Sequence, residues 1–287
     1  MSIKEQGYTH WDGELAPGRF PWKPITRYGI KLTFKKKFFK PFFFMTLLPA
    51  VVFLAGIYVS ERIQDFEFMI EGSSTPFTVN PGYFYTYFTS VLFMIVLILV
   101  FAGSGLISDD LKHNALQLYF SRPLKKKDFF TGKVAVIVFF LFIITLIPGL
   151  ILFIMKLVFS GSFQFLRSFP WLPISIIGFS VFITGFFACY ALFLSALSKN
   201  RRYVSIMIFG LYIFSDILFG IFYGIFRKPY FCLLSIKANL QQVGKLIFSQ
   251  KPLYDVSPWY SILVLCLFCF LAVLFLSHKV RGVEIVK

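Results

Sequence analysis

A single carboxylate lies in the middle of a long apolar segment of the sequence. Asp216 is the one charged residue among the 24 positions between Arg202 and Arg227. A carboxylate at the centre of a bilayer costs about 2.5–3.5 kcal/mol on insertion scales, so its side chain is expected to face another helix, a water-filled cavity or a subunit interface. Two functions fit this position. Asp216 either lines a substrate or proton path, or it accepts a hydrogen bond from a neighbouring Ser, Thr or Tyr and fixes helix packing.

The charged loop 108–133 has the sequence SDDLKHNALQLYFSRPLKKKDFFTGK and is longer than a simple connection needs. Ser108 is predicted to cap a helix whose first turn holds Asp109 and Asp110, where the helix dipole favours anions. Pro123 is predicted to end that helix, because the residue before a proline leaves the α region. An interfacial helix without a partner is the alternative to a docking element. The apolar face of the predicted helix consists of Leu111, Ala115, Leu118 and Tyr119.

No set of residues in the sequence has the spacing of a catalytic or metal site. The phosphate-binding pattern G-x-x-x-x-G-K-[ST], the hydrolase pattern G-x-S-x-G and the zinc pattern H-E-x-x-H are all absent. Cys266 and Cys269 are three residues apart in an apolar segment, so they are expected to pack as small hydrophobic side chains. We therefore expect neither an enzyme nor a metal site in this chain. The other candidates are scattered along the sequence, namely His10, His113, His278, Cys189 and Cys232.

The composition predicts that helices in a membrane position these residues. Of the 287 residues, 57% are hydrophobic and only 15% are charged, whereas charged residues make up about 25% of ordinary soluble domains. A soluble fold of this size could not cover so much apolar surface. The apolar segments are continuous runs, which excludes a β-barrel built from alternating strands of about ten residues. The predicted fold class is an all-α integral membrane protein.

Six segments are long and apolar enough to cross the hydrocarbon core, which takes about 20 residues in a helix. Residues 1–41 form a basic N-terminal segment, residues 42–277 form the transmembrane domain and residues 278–287 form a tail. No cleavable signal precedes the first span, so that span is expected to remain as an anchor. The six spans are predicted at 42–59, 85–107, 134–155, 173–197, 204–226 and 259–277.

The distribution of basic residues predicts the orientation of the chain. Six spans place both termini on one side of the membrane, and that side carries 21 of the 29 Lys and Arg residues. Because basic residues concentrate on the cytoplasmic side, we expect both termini in the cytoplasm and the chain in the cell (inner) membrane. The net charge of +16 is concentrated at the span ends, where it suits anionic membrane lipids rather than nucleic acid.

Two segments outside the spans are predicted to be amphipathic helices. Residues 25–40 place Arg27, Lys31 and Lys35 on one face, which is typical of a helix on the membrane surface; a solvated basic stripe is the alternative. In the outer loop 227–257, a helix is predicted to begin near Ser235 and to lie in the outer leaflet. Its apolar face consists of Ile236, Leu240, Val243 and Ile247.

Loop 108–133 resembles the signature of type 2 ABC-transporter permeases. That signature has an Ile, an acidic residue, a small residue followed by Leu, an Arg-Pro turn and a Gly-Lys pair that enters the third span. The stretch SIKANLQQVGKLIF and the ending HKVRGVEIVK resemble the branch of nitrous-oxide-reductase and multicopper-enzyme maturation permeases. The resemblance covers nearly the whole chain, with a doubled Asp where Glu is common and Ile236 where Pro is frequent. The matching positions are Ile107, Asp109, Asp110, Ala115, Leu116, Ser121, Arg122, Pro123, Gly132 and Lys133.

The resemblance implies the membrane subunit of an ATP-driven transporter, expected to be an exporter. Two permease subunits, identical or paralogous, would form the translocation path, and two separate ATPase subunits would dock below it. The chain itself would hold no cofactor, since ATP and Mg²⁺ would bind the partner ATPase. Asp216 is the candidate for the translocation path or a helix interface. The residues expected to couple the permease to the ATPase are Asp109, Asp110, Leu111, Lys112, Ala115, Leu118, Arg122, Pro123 and Lys133.

Two other functions remain open from the sequence alone. A six-span channel or secondary transporter would work without ATP, and it is expected to show several intramembrane charges or broken, repeated helices. Asp216 is instead isolated in its span, and no convincing repeat relates the two halves of the chain. A membrane-embedded enzyme would need a nucleophile, a base or a metal cluster near a span end.

Overall fold

The computed structural model describes residues 20–65, 79–115 and 126–279, and in these ranges the chain is helical with no strand. Six helical segments are long and apolar enough to cross a membrane, which confirms the prediction of six spans. The protein is therefore an all-α, multi-pass membrane protein. The six segments are Phe39–Arg62, Pro81–Lys112, Lys126–Ser160, Leu172–Leu197, Arg201–Phe226 and Pro258–Lys279.

Spans one to three each consist of two helices in series, whereas spans four to six are single helices. Spans one to three comprise α2 (Phe39–Met45) with α3 (Leu48–Asp65), α4 (Pro81–Ala102) with α5 (Gly105–Lys112), and α6 (Lys126–Ile144) with α7 (Leu146–Ser160). Spans four to six are α9 (Leu172–Leu197), α10 (Arg201–Phe226) and α12 (Pro258–Lys279). The remaining described elements are α1 (Trp22–Phe34), α8 (Gln164–Ser168), a 3₁₀ helix (Pro229–Leu234) and α11 (Ile236–Ile247).

Helix α1 differs from the predicted helix over residues 25–40, because it ends at Phe34 and the chain turns into α2. It packs against α6, and the two backbones approach closely at Gly132. A Cβ at Gly132 would lie 2.9 Å from Ile25 Cβ, so a larger residue would push the helices apart. Thr26 Oγ1 donates a hydrogen bond to Gly132 O at 3.1 Å. This packing leaves the predicted basic face exposed, with Arg27, Lys31 and Lys35.

Burial is uneven among the spans. In the most apolar stretches of the spans that contain α4 and α9, about 60% of the residues are buried. In the corresponding stretches of the spans that contain α3, α10 and α12, 17–28% of the residues are buried. α4 and α9 therefore lie at the centre of the bundle, and α3, α10 and α12 lie at its edge. In a membrane, lipid or another chain covers the apolar faces that these outer helices leave exposed.

Span three is broken at Thr145, between α6 and α7. Pro148 has no N–H group, so it cannot donate the helical hydrogen bond to Ile144 O. Tyr87 of α4 replaces that donor, and its hydroxyl lies 2.8 Å from Ile144 O. The carbonyl freed by Pro148 is thus satisfied inside the protein, as the absence of water in a bilayer core requires.

Candidate functional site

Helix α5 is capped by a side chain from a different span. Its first amides have no partner within the helix, and those of Ile107 and Ser108 donate to Ser195 Oγ at 2.9 and 3.0 Å. Ser195 belongs to α9 and is fully buried, and its own hydroxyl donates to Ser104 O at 3.0 Å. A single hydroxyl thus joins the start of α5 to span four.

The predicted cap of this helix is wrong. Ser108 lies inside α5, where its hydroxyl donates to Ser104 O at 2.7 Å, and Asp109 and Asp110 lie in the last turn rather than the first. The helix begins four residues earlier than a Ser108 cap would allow, because Ser195 supplies the capping oxygen. At the break before it, a Cβ on Gly103 would lie 3.0 Å from Ala191 Cβ, so glycine allows α4 to approach α9.

Two cations lie at the carboxyl end of α4, beside the same break. Lys36 Nζ donates to Phe101 O at 2.6 Å, and Arg201 Nη2 reaches the same oxygen at 3.4 Å. Arg201 Nε also donates to Ser104 Oγ at 3.3 Å. Positive charge at this position stabilises the last carbonyls of the helix and its dipole. Lys36, in the turn between α1 and α2, and Arg201, at the start of α10, thereby join two further elements to the break.

The environment of Lys36 changes its ionisation. Burial, and after it the nearby Arg201 guanidinium, lower the pKa of its ammonium to about 8. The Asp109 carboxylate, on α5, opposes this effect and raises the pKa. Lys36, Asp109 and Lys133 line one small cleft between α1 and α5. Asp109 of α5 therefore favours the charged form of Lys36.

An ion pair joins α5 to span three. Lys133 Nζ lies 2.6 Å from Asp110 Oδ2, and the two side chains are only 10% and 14% exposed. The Lys133 ammonium also lies 5.3 Å from the centre of the Phe129 ring. Both residues belong to the set expected to couple the permease to an ATPase. The structure pairs them with each other inside the protein, where removing either charge would leave the other one largely desolvated.

The other residues of the predicted coupling set are divided between the inside and the outside of the protein. Leu111 is half-buried and packs against the hydrophobic core, Ala115 is half-buried, and Lys112 is exposed together with His113 and Asn114. Leu118, Arg122 and Pro123 lie outside the described residues, as does the end of the predicted helix. The surface that α5 offers to a partner is therefore polar at its C-terminal end.

Asp216 lies in the interior of α10, where it holds the start of α11. Ser235 caps that helix as predicted, accepting from Ala238 N at 3.0 Å, and its hydroxyl donates to Asp216 Oδ1 at 2.9 Å. Lys237 Nζ lies 3.3 Å from Asp216 Oδ2, and both side chains are about 40% exposed. This geometry matches the packing function left open for Asp216, and the translocation-path function stays a prediction.

The predicted amphipathic helix of the outer loop is confirmed as α11, but it packs among the spans. Its contacts are with α4, α9, α10 and α12. Two buried amides missed at the sequence level fix it there. Gln242 Nε2 donates to Tyr254 O at 3.1 Å and to Val256 O at 2.8 Å, while its Oε1 accepts from Leu253 N at 3.0 Å. Asn239 Nδ2 donates to Leu233 O at 2.9 Å and Ser235 O at 2.7 Å.

No protein-family model matches the sequence, and no curated protein matches it either. The resemblance to ABC permeases therefore stays a prediction from the motif in loop 108–133. Among the described residues, no group of three or more His, Cys, Asp and Glu side chains could hold a metal ion. What the site offers chemically is a set of hydrogen bonds and one ion pair that attach a short helix to the spans around it.

Proposed function

We propose that the chain is the permease subunit of an ATP-driven ABC transporter, an exporter that works as a dimer with separate ATPase subunits. The observation that supports this function best is the attachment of α5. Ser195 joins α5 to span four, the Asp110–Lys133 pair joins it to span three, and the chain itself continues from span two. A force applied to α5 would act on three spans at once.

Rigid-body motion is the mechanism that fits this attachment. Packed helices transmit a displacement because an interface has a few discrete arrangements rather than a continuum. In the proposed cycle, ATP binding closes the ATPases, α5 moves with them, and spans two, three and four follow. The polar end of α5, with exposed Lys112, His113 and Asn114, would face the ATPase.

The second permease subunit has a candidate surface on span five. An apolar groove of about 700 Å³ runs between α9 and α10, and several large side chains of α10 are exposed along it. A second chain placed here would cover apolar surface and bring the two Asp216 clusters towards the same interface. The groove is lined by Phe193, Leu197, Ile206, Phe209, Phe214 and Ile217, among others.

The proposed orientation places α5 at the cytoplasmic end of span two and α11 at the outer end of the bundle. This orientation rests on the six spans, which divide the remaining segments between two sides of the membrane, and on the 21 basic residues found on one of those sides. An ATPase that hydrolyses cellular ATP must dock on the cytoplasmic side. The orientation and the assignment of α5 to coupling therefore depend on each other.

Purification of the tagged chain from its native membrane in mild detergent tests the proposal. We expect a soluble subunit with a phosphate-binding loop to copurify and the complex to hydrolyse ATP. The double variant Lys112→Glu, His113→Glu should lose that subunit while the permease stays folded. The matched control, Lys228→Glu with Lys251→Glu at the α11 end, should retain it. A complex without a nucleotide-binding subunit, or equal loss in both variants, would contradict the proposal.

A further inference from the structure

The turn between α1 and α2 holds a basic groove that the proposed function does not use. Five lysines surround about 530 Å³ of space beside the Phe34 ring. We call this space the elbow groove. Its lining residues are Lys31, Phe34, Lys35, Lys36, Lys37 and Lys40.

The positive charge of the elbow groove is not compensated by the described part of the protein. Three other lysines in the described ranges have carboxylate partners: Lys133 pairs with Asp110, Lys156 with Glu61 and Lys237 with Asp216. Lys36 donates to Phe101 O. No carboxylate in residues 20–65, 79–115 or 126–279 forms an ion pair with the four exposed groove lysines, which are Lys31, Lys35, Lys37 and Lys40.

The wall of the elbow groove is held in place by aromatic packing. The Phe34 ring makes edge contacts with Phe39 at 5.4 Å and with Phe43 at 5.9 Å, and it also packs on Phe140 at 5.4 Å. Phe39 is almost fully buried. The turn is thus anchored to span three, so the lysines around it converge on a preformed surface rather than on a loose tail.

An exposed apolar stripe leads away from the elbow groove along span one. Phe44, Leu48 and Val52 recur at four-residue spacing, so they lie on one face of α2 and α3, and all three are exposed. A free phosphate ion would use only the lysines. A lipid would use both features, with its phosphate among the ammonium groups and its acyl chains along the stripe.

We propose that the elbow groove is a binding site for an anionic membrane lipid, which its phosphate headgroup occupies while its acyl chains lie along α2 and α3. Lysine ammonium groups bind phosphate as point charges without a fixed geometry, which suits a headgroup that is free to rotate. The site does not depend on the proposed ATPase. A bound headgroup would lie next to Lys36 and hence next to the break between α4 and α5.

Native mass spectrometry of the purified full-length chain tests this site. The chain is titrated with dioleoyl-phosphatidic acid and with dioleoyl-phosphatidylcholine, which have the same acyl chains and differ in headgroup charge. The test variant replaces all four exposed groove lysines by Gln. The matched control removes four exposed positive charges from the same end of the bundle and consists of Lys126→Gln, Lys127→Gln, Lys199→Gln and Arg202→Gln.

We expect the native chain to bind phosphatidic acid in preference to phosphatidylcholine, and the groove variant to lose roughly tenfold or more of that preference. The control should keep it. Equal loss in both variants would overturn the proposal in favour of diffuse charge, and no loss in the groove variant would overturn it outright. Glycerol 3-phosphate serves as the headgroup without chains. If millimolar glycerol 3-phosphate displaces the lipid completely, the site binds a soluble phosphate and the commitment to a lipid is wrong.

Discussion

Two short helices at opposite ends of the bundle are held in different ways. α11 is fixed by side-chain amides, since Gln242 and Asn239 are both buried and each bonds to two or more backbone groups of the surrounding loops. α5 is held by one hydroxyl from span four and one ion pair to span three. In the first arrangement, buried side-chain amides of the helix bond to the backbone of adjoining segments. In the second, a helix is attached to neighbouring spans by a hydroxyl and an ion pair.

The difference suits the movement that the proposed function assigns to α5. Displacing α11 requires the buried hydrogen bonds of Gln242 and Asn239 to be lost together, in addition to the contacts of Asp216 with Ser235 and Lys237. α5 depends on two hydrogen bonds to Ser195 and one ion pair to Lys133, so it has fewer attachments to lose when it shifts. We infer that α11 is a rigid plug and α5 a movable attachment, as the proposed coupling function requires.

The largest effect is expected from the ion pair of α5. Asp110→Asn leaves the Lys133 ammonium largely desolvated without its counter-charge, so the free energy of unfolding should fall by about 3 kcal/mol. Asp109→Asn is the matched control and should cost about 0–1 kcal/mol. The double variant Asp110→Asn, Lys133→Met should recover much of the loss. Denaturant unfolding in detergent measures all three, and equal effects at the two Asp positions would show that the pair is not a significant attachment.

A somewhat smaller loss is expected at the other end, at Gln242. Gln242→Leu leaves Tyr254 O, Val256 O and Leu253 N without their side-chain partner, and we expect a cost of about 2–3 kcal/mol. Gln241→Leu makes the same chemical change one residue away on a less buried position and should cost much less. Hydrogen exchange should show faster exchange across the whole of α11 in the first variant. If the amides of α11 exchange no faster in Gln242→Leu than in the native chain, Gln242 does not hold α11 rigidly in place.

Loss of the cap from span four should have a smaller and local effect. Ser195→Ala removes the acceptor shared by Ile107 N and Ser108 N, at an expected cost of about 1–2 kcal/mol. Ser180→Ala, in the same helix, is the control, because the Ser180 hydroxyl bonds only to Ile176 O of its own helix. Amide exchange of α5 should rise in the first variant alone. Equal exchange in both would mean that α5 does not depend on Ser195.

The smallest expected effect is a change in ionisation at the break. Lys36 should titrate with a pKa of about 8, below the ordinary lysine value of 10.5. Because its folded pKa lies below its unfolded value, the free energy of unfolding should rise with pH between about 8 and 10.5. Arg201→Gln should raise the pKa of Lys36, and Asp109→Asn should lower it. NMR of ¹³C-methylated lysines measures these values, and an ordinary pKa at Lys36 would contradict its burial.

The sequence predicts the six spans and α11 because both depend on local pattern. Uncharged runs locate the spans, and Ser235 with apolar residues at helical spacing locates α11. The start of α5 could not be predicted in this way, since Ser195 is 87 residues from Ser108. Pro148 is a local signal of the break in span three. The hydroxyl that bonds to the freed Ile144 carbonyl belongs to Tyr87, which is 57 residues away in the sequence. Hydrogen bonds between spans depend on the tertiary structure, which the periodicity of the sequence does not predict.

The proposed function requires that α5 contacts an ATPase and that α11 does not. A photo-crosslinking amino acid at position 113, exposed just beyond α5, and one at position 246, exposed on α11, compare the two ends in native membranes. We predict that position 113 crosslinks to a protein with a phosphate-binding loop and that position 246 gives no such product. The reverse pattern, or no nucleotide-binding partner at position 113, would contradict the account.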